Sequence, residues 1–71
     1  MAAQIQAVPA ILRRKQVEAR TGLPRSTIYD RIKAGDFHKP INLGPQSVGW
    51  VESEINDWIA ARIAAARAVR P

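Results

Sequence analysis

Apolar residues along this chain change their spacing from segment to segment, and each spacing predicts an element. Val17 and Thr21 stand one turn apart and Leu12 can pack on their face, which predicts a first helix over residues 14–20. Gly22 follows, and glycine readily takes the left-handed backbone that stops a helix. Ile28 and Ile32 are i,i+4 partners on a second helix, which starts at Pro24 or Arg25 and ends at Gly35. Proline suits the first helical position, because the N–H it lacks would be unpaired there. At about 100° per residue, Ser26, Asp30 and Lys33 fall opposite the isoleucines, with Tyr29 at one border and Thr27 at the other.

Residues 40–50 alternate instead. Ile41, Leu43, Val48 and Trp50 are interleaved with Asn42, Ser47 and Gly49, and Gly44-Pro45-Gln46 lies between the two runs. This predicts a small β-hairpin with its apolar face inward. A lone hairpin is marginal in water, so it must pack on a helix. A third helix over residues 52–68 follows from the stripe Val51, Ile55, Trp58, Ile59, Ile63 and Ala66. Its acidic start (Glu52, Glu54) and basic end (Arg67, Arg70) complement the helix dipole. The predicted core is Val17, Leu23, Ile28, Ile32, Trp50, Ile55, Trp58 and Ile59. Residues 1–10, interrupted by Pro9, read as a flexible arm, and residues 11–71 as one domain ending in an alanine-rich helix and tail.

Two amphipathic helices joined by a short glycine turn are the frame of a helix-turn-helix, whose second helix enters the DNA major groove. With the hairpin as a wing, the fold class is mainly α: a winged helix-turn-helix of three helices and a two-stranded wing. A chain of 71 residues supports one small core. It has no cysteine, which excludes a disulfide framework and cysteine metal sites and fits a reducing compartment. Residues 1–10 lack the basic start and long apolar run of a secretory signal, and no later run is long enough to span a membrane.

Charge sharpens the picture through its distribution. Residues 11–39 hold eight Lys/Arg against Glu18, Asp30 and Asp36, a net of +5. Residues 51–59 hold Glu52, Glu54 and Asp57 and no cation, and residues 60–71 add Arg62, Arg67 and Arg70. A positive block on a small domain attracts polyanions, although a solubilising surface explains the charge equally well.

Arg25, Ser26 and Thr27 open the second helix, where a recognition helix meets base edges. Arginine suits a bidentate contact to guanine, and Ser and Thr suit bases or phosphates. The competing role for Ser26 and Thr27 is to satisfy free N–H groups in the first turn; DNA contact is favoured, because the glycine turn and basic flanks agree with it. Tyr29 can bond a phosphate through its hydroxyl or pad the core with its ring. Asp30 can accept from a cytosine amino group, but pairing with a neighbouring arginine is favoured. Lys33 completes the exposed side of this helix.

Arg13, Arg14, Lys15, Arg31 and Lys33 are candidates for a phosphate clamp, which sets register and salt dependence without reading sequence. Five neutralised phosphates would give a slope of log K against log salt near −4.5. Lys39, Asn42, Gln46 and Ser47 are the wing candidates, or else ordinary turn residues. Core packing outweighs base stacking for Trp50 and Trp58, since each aligns with other apolar residues. His38 has no spaced partner and is a surface loop residue, and Glu52, Glu54 and Asp57 are explained by the helix start. Arg62 lies inside the apolar stripe, so either its stem snorkels or that end of the helix meets another protein. No phosphate loop, nucleophile–base pair or metal spacing occurs, so neither an enzyme nor a cofactor or metal is expected.

Thr21-Gly22-Leu23-Pro24-Arg25-Ser26-Thr27-Ile28-Tyr29, Ile32-Lys33-Ala34-Gly35-Asp36-Phe37, Lys39-Pro40-Ile41-Asn42-Leu43-Gly44, Ser47-Val48-Gly49-Trp50, Glu52-Ser53-Glu54-Ile55 and Trp58-Ile59 occur in an order that resembles the AlpA-like regulators of phages and mobile elements. The resemblance runs from about Leu12 to Ile63. It departs at Asp30 and Arg31, where that family often carries a basic and an apolar residue.

The resemblance implies a winged helix-turn-helix related to MerR-type domains and excisionases, acting in the bacterial cytoplasm on the nucleoid. Double-stranded DNA is then the partner, joined by an integrase or by neighbouring copies of the chain, with no membrane and no small-molecule substrate. It implies a transcriptional regulator, or a recombination directionality factor that directs an integrase towards excision. The alternatives are a protein-interaction adaptor docking through the third helix, or a DNA-recognition module like the small subunit of a phage terminase.

Overall fold

In a computed structural model the described residues are 10–68, so the predicted arm over residues 1–9 and the end of the tail, residues 69–71, lie outside them. The order is β1 (Ile11–Leu12), α1 (Arg14–Thr21), α2 (Arg25–Lys33), β2 (Ile41–Gly44), β3 (Ser47–Val51) and α3 (Glu52–Ala68). This is the mainly helical winged helix-turn-helix, with one strand more than the two of the expected wing. β1 pairs antiparallel with β3, Ile11 opposite Val51 and Leu12 opposite Trp50, giving the strand order β1-β3-β2. Ala10, assigned to the arm by the sequence, is tied in, because its carbonyl accepts the Glu52 N–H at 2.8 Å. That bond satisfies a free donor in the first turn of α3.

The turn between α1 and α2 is built from local bonds. Thr21 Oγ1 donates to the Val17 carbonyl at 2.8 Å and accepts the Leu23 N–H at 3.2 Å. Gly22 is left-handed at φ 75°, and its N–H closes α1 on the Glu18 carbonyl at 2.8 Å. Pro24 is the residue just before α2, with extended backbone. α2 ends in a Schellman closure, with Gly35 left-handed at φ 79°, its N–H on the Ile32 carbonyl and the Asp36 N–H on the Arg31 carbonyl.

The core is Leu12, Val17, Ile28, Phe37, Trp50 and Ile55, with Leu23, Tyr29, Ile32, Trp58 and Ile59 packed partly buried against it. Two of these, Leu12 from the unforeseen strand and Phe37 from the loop after α2, add to the core expected from periodicity. Trp50 is 1% exposed, and its indole N–H donates to the His38 carbonyl at 3.0 Å. Phe37 meets Trp58 edge-on at 4.8 Å between ring centroids, and the Trp58 N–H donates to the Asp36 carbonyl at 2.7 Å.

One expectation about an apolar face needs correction. The hairpin does not turn one apolar face inward. Its register sets Ile41 opposite Gly49 and Asn42 opposite Val48. Directly opposed residues share a face, so Ile41 and Leu43 point away from the side that buries Trp50. Both are exposed, as is Val48 near the hairpin tip. The apolar stripe of α3 outruns the core: Ile63 and Ala66 are exposed.

Gly49 lies under the outer row. A Cβ there would collide with Ile11 Cγ2 and come within 3.0 Å of Leu43 Cδ1 and 3.1 Å of the Leu12 carbonyl oxygen. The two side-chain ends can move, but the carbonyl belongs to the β1–β3 ladder. Gly49→Ala should therefore cost about 1–3 kcal/mol through overpacking. Each kcal/mol should lower the melting temperature by roughly 4–8 °C in a domain of this size. A thermal melt indistinguishable from that of the parent chain would contradict this packing.

Candidate nucleic-acid interface

The exposed side of α2 and the start of α1 form neighbouring concavities that share one wall. The first is lined by Pro24, Arg25, Ser26, Tyr29 and Asp30. The second is lined by Arg13, Arg14, Lys15, Tyr29, Gln46 and Val48. Tyr29 belongs to both, so the start of α2, the start of α1 and the hairpin tip meet around its ring. The fold thus brings together residues from three separate stretches of sequence.

Each position has a local cause. Arg13 precedes α1, and its backbone N–H donates to Gln16 Oε1 at 2.8 Å. Lys15 lies one residue into α1 and is exposed. Arg14 is half-buried and pairs with Glu18 one turn on. Arg25 and Ser26 are exposed and Thr27 is half-buried, and α2 has no side-chain hydrogen bond capping its start. Lys33 is exposed on the same helix.

Tyr29 is half-buried. Its ring meets Trp50 edge-on with centroids 6.4 Å apart, and the Arg25 guanidinium carbon lies 5.4 Å from its ring centroid. The ring thus pads the core while standing at the edge of the exposed face.

Two charged residues differ from expectation. Asp30 makes no ion pair among the described residues; the arginine beside it, Arg31, pairs with Asp36 instead. The Schellman turn brings the chain back so that the residue five positions on meets Arg31. Arg31 also lies over Trp58, its guanidinium carbon 5.6 Å from the ring, and its Nε is buried without a partner. It stands with Asp36 and Trp58 rather than with Arg13, Arg14 and Lys15.

Among the wing candidates, Gln46 lines the second concavity and is the turn residue with left-handed backbone at φ 55°. Asn42 is exposed and accepts the Gly44 N–H at 2.9 Å, bracing the turn. Lys39 is exposed ahead of β2, and Ser47 is half-buried at the start of β3. On the far side, Arg20 bridges α1 to α3 through Glu52 at 2.7 Å. Arg62 reaches Trp58, its guanidinium carbon 5.9 Å from the ring. His38 is exposed, 3.8 Å from Glu54.

Among the described residues no cluster of His, Cys, Asp or Glu could hold a metal ion, and no helix is long and apolar enough to cross a membrane. What the face offers is exposed cations, a pair of hydroxyls and an arginine resting on an aromatic ring. These groups suit an anionic ligand bearing hydrogen-bond acceptors.

A family model described as Prophage CP4-57 regulatory protein (AlpA) matches residues 10–63. The uncharacterized protein ORF88 of Enterobacteria phage P4 is 45% identical over 53 residues, covering 75% of this chain and 60% of that protein. The chain thus spans less than two thirds of that relative's length. The DNA-binding transcriptional activator AlpA of Escherichia coli (strain K12) is 41% identical over 58 residues, covering 73% of this chain and 83% of its own. No solved structure gives a significant match.

Proposed function

This chain belongs to the AlpA family of phage regulatory proteins, and from that premise we propose that it is a sequence-specific, DNA-binding transcriptional regulator of a prophage or integrative element. α2 lies in the major groove, with Arg25, Ser26 and Thr27 at base edges. Arg13, Lys15 and Lys33 hold flanking phosphates, and Gln46 at the hairpin tip reaches the adjacent backbone.

The observation that carries this reading is the meeting of Arg13, Lys15, Arg25 and Gln46 around Tyr29 on one face. A base-reading helix needs its phosphate contacts on both flanks, because phosphate contacts fix register while base contacts choose sequence. The Escherichia coli relative, a DNA-binding transcriptional activator, points the same way.

A gel shift on DNA from the parent element, competed with unrelated duplex, tests the reading. We expect the element's own DNA to resist competition at least tenfold better than random duplex, in line with the usual gap between specific and non-specific binding. Equal competition by the two would overturn sequence-specific recognition. The same face would serve control of excision as well as control of transcription. An excision assay with the element's integrase, run beside a promoter reporter, separates those two uses.

A further inference from the structure

We infer that Tyr29 is a positioning residue for base recognition: its ring, propped on Trp50, holds the Arg25 guanidinium in the orientation in which it reads a base. The inference rests on the DNA-reading role proposed above for Arg25 and says how that role acquires its selectivity.

Arg25 is exposed in the first turn of α2, where an arginine side chain ordinarily samples many rotamers. Here its guanidinium carbon lies 5.4 Å from the Tyr29 ring centroid, within the range of cation–π attraction. The spacing is i,i+4, so α2 itself sets the two side chains one above the other.

The ring is fixed in turn. Tyr29 is half-buried and meets Trp50 edge-on, 65° between planes. Trp50 is 1% exposed and tied by its N–H to the His38 carbonyl. A chain of contacts therefore runs from the centre of the core to the tip of the reading arginine. Bidentate recognition of guanine depends on the angle of a planar fork, and a fork already oriented loses less freedom on binding.

A double-substitution cycle tests this. The preference of each protein for element DNA over unrelated duplex is measured by fluorescence anisotropy. The proteins are the parent chain, Tyr29→Leu, Tyr29→Phe, Arg25→Ala and the double variant Arg25→Ala/Tyr29→Leu. Tyr29→Leu should lower the preference about two- to fivefold, the scale of an exposed cation–π contact. Tyr29→Phe, which keeps the ring, should restore it. In the Arg25→Ala background Tyr29→Leu should have no further effect, because the group it positions is gone.

Losses that add across the cycle, or a Tyr29→Phe loss equal on all sequences, would overturn the inference in favour of a direct phosphate contact through the hydroxyl. A parent chain with no preference at all would instead defeat the DNA-reading role itself. Proton NMR of the parent chain gives an answer that needs no variant. The Arg25 δ protons should be shifted upfield by the ring current, and random-coil positions would refute the stacking.

Discussion

Trp50→Ala should cost the domain about 3–5 kcal/mol, a quarter or more of its stability. Trp50 is the largest fully buried side chain, and it touches three separate parts of the fold. It pairs with Leu12 across the β1–β3 ladder, props Tyr29 of α2, and ties the loop before β2 through the His38 carbonyl. Removing a buried tryptophan costs about 3–5 kcal/mol, part of it lost transfer energy and part the cavity left behind. A domain of 71 residues has roughly 4–11 kcal/mol in total. The substitution therefore removes a large share of the stability at any value in that range, and all of it at the lower end.

Urea titration followed by far-UV circular dichroism measures the loss, with Trp58 remaining as a fluorescent reporter. Trp50→Phe should cost much less, since it keeps an aromatic body and loses one hydrogen bond. A midpoint for Trp50→Ala close to that of the parent chain would show that the elements cohere without this side chain.

The second large effect is on binding, and here the fold changes what the sequence predicts. Counting basic residues gives five phosphate contacts and a salt slope near −4.5. Two of those five are already neutralised within the domain, Arg14 by Glu18 and Arg31 by Asp36. Arg13, Lys15 and Lys33 make no ion pair among the described residues. Three contacts give a slope near −2.7, so raising salt from 50 to 200 mM should weaken binding about 40-fold rather than about 500-fold. Anisotropy titrations on a single site across that range distinguish the two. A slope near −4.5 would mean that Arg14 and Arg31 exchange their carboxylates for phosphates, and a flat response would remove the clamp altogether.

The same contrast shows which parts of the molecule are legible in sequence. α2 is written locally, in the i,i+4 isoleucines Ile28 and Ile32, in Pro24 before its start and in Gly35 after its end, so its limits can be read from neighbours alone. The hairpin is located by its alternation and by the Gly44-Pro45-Gln46 turn. Alternation says that successive side chains face opposite ways, but it does not say which way is in. That depends on the register, which puts Gly49 across from Ile41 and turns the two apolar rows apart.

β1 is invisible for a different reason. It has only two residues, and its partner strand lies across two helices and β2 in sequence. Phe37 belongs to a loop, where no period marks it as core. The Arg31–Asp36 pair depends on the turn geometry that follows α2, whereas Arg14–Glu18 has a spacing that sequence could have offered. The residues around Tyr29 are separate candidates in sequence, and the convergence of Arg13, Arg25 and Gln46 there is a product of the tertiary fold.

β3 passes directly into α3, with Val51 the last residue of one and Glu52 the first of the other, and the Ala10 carbonyl locks the junction. No slack segment lies there to absorb motion. The angle between hairpin and rod is therefore fixed by the junction itself, with no loop between them. The relation of the hairpin to the rod is thus set when the chain folds.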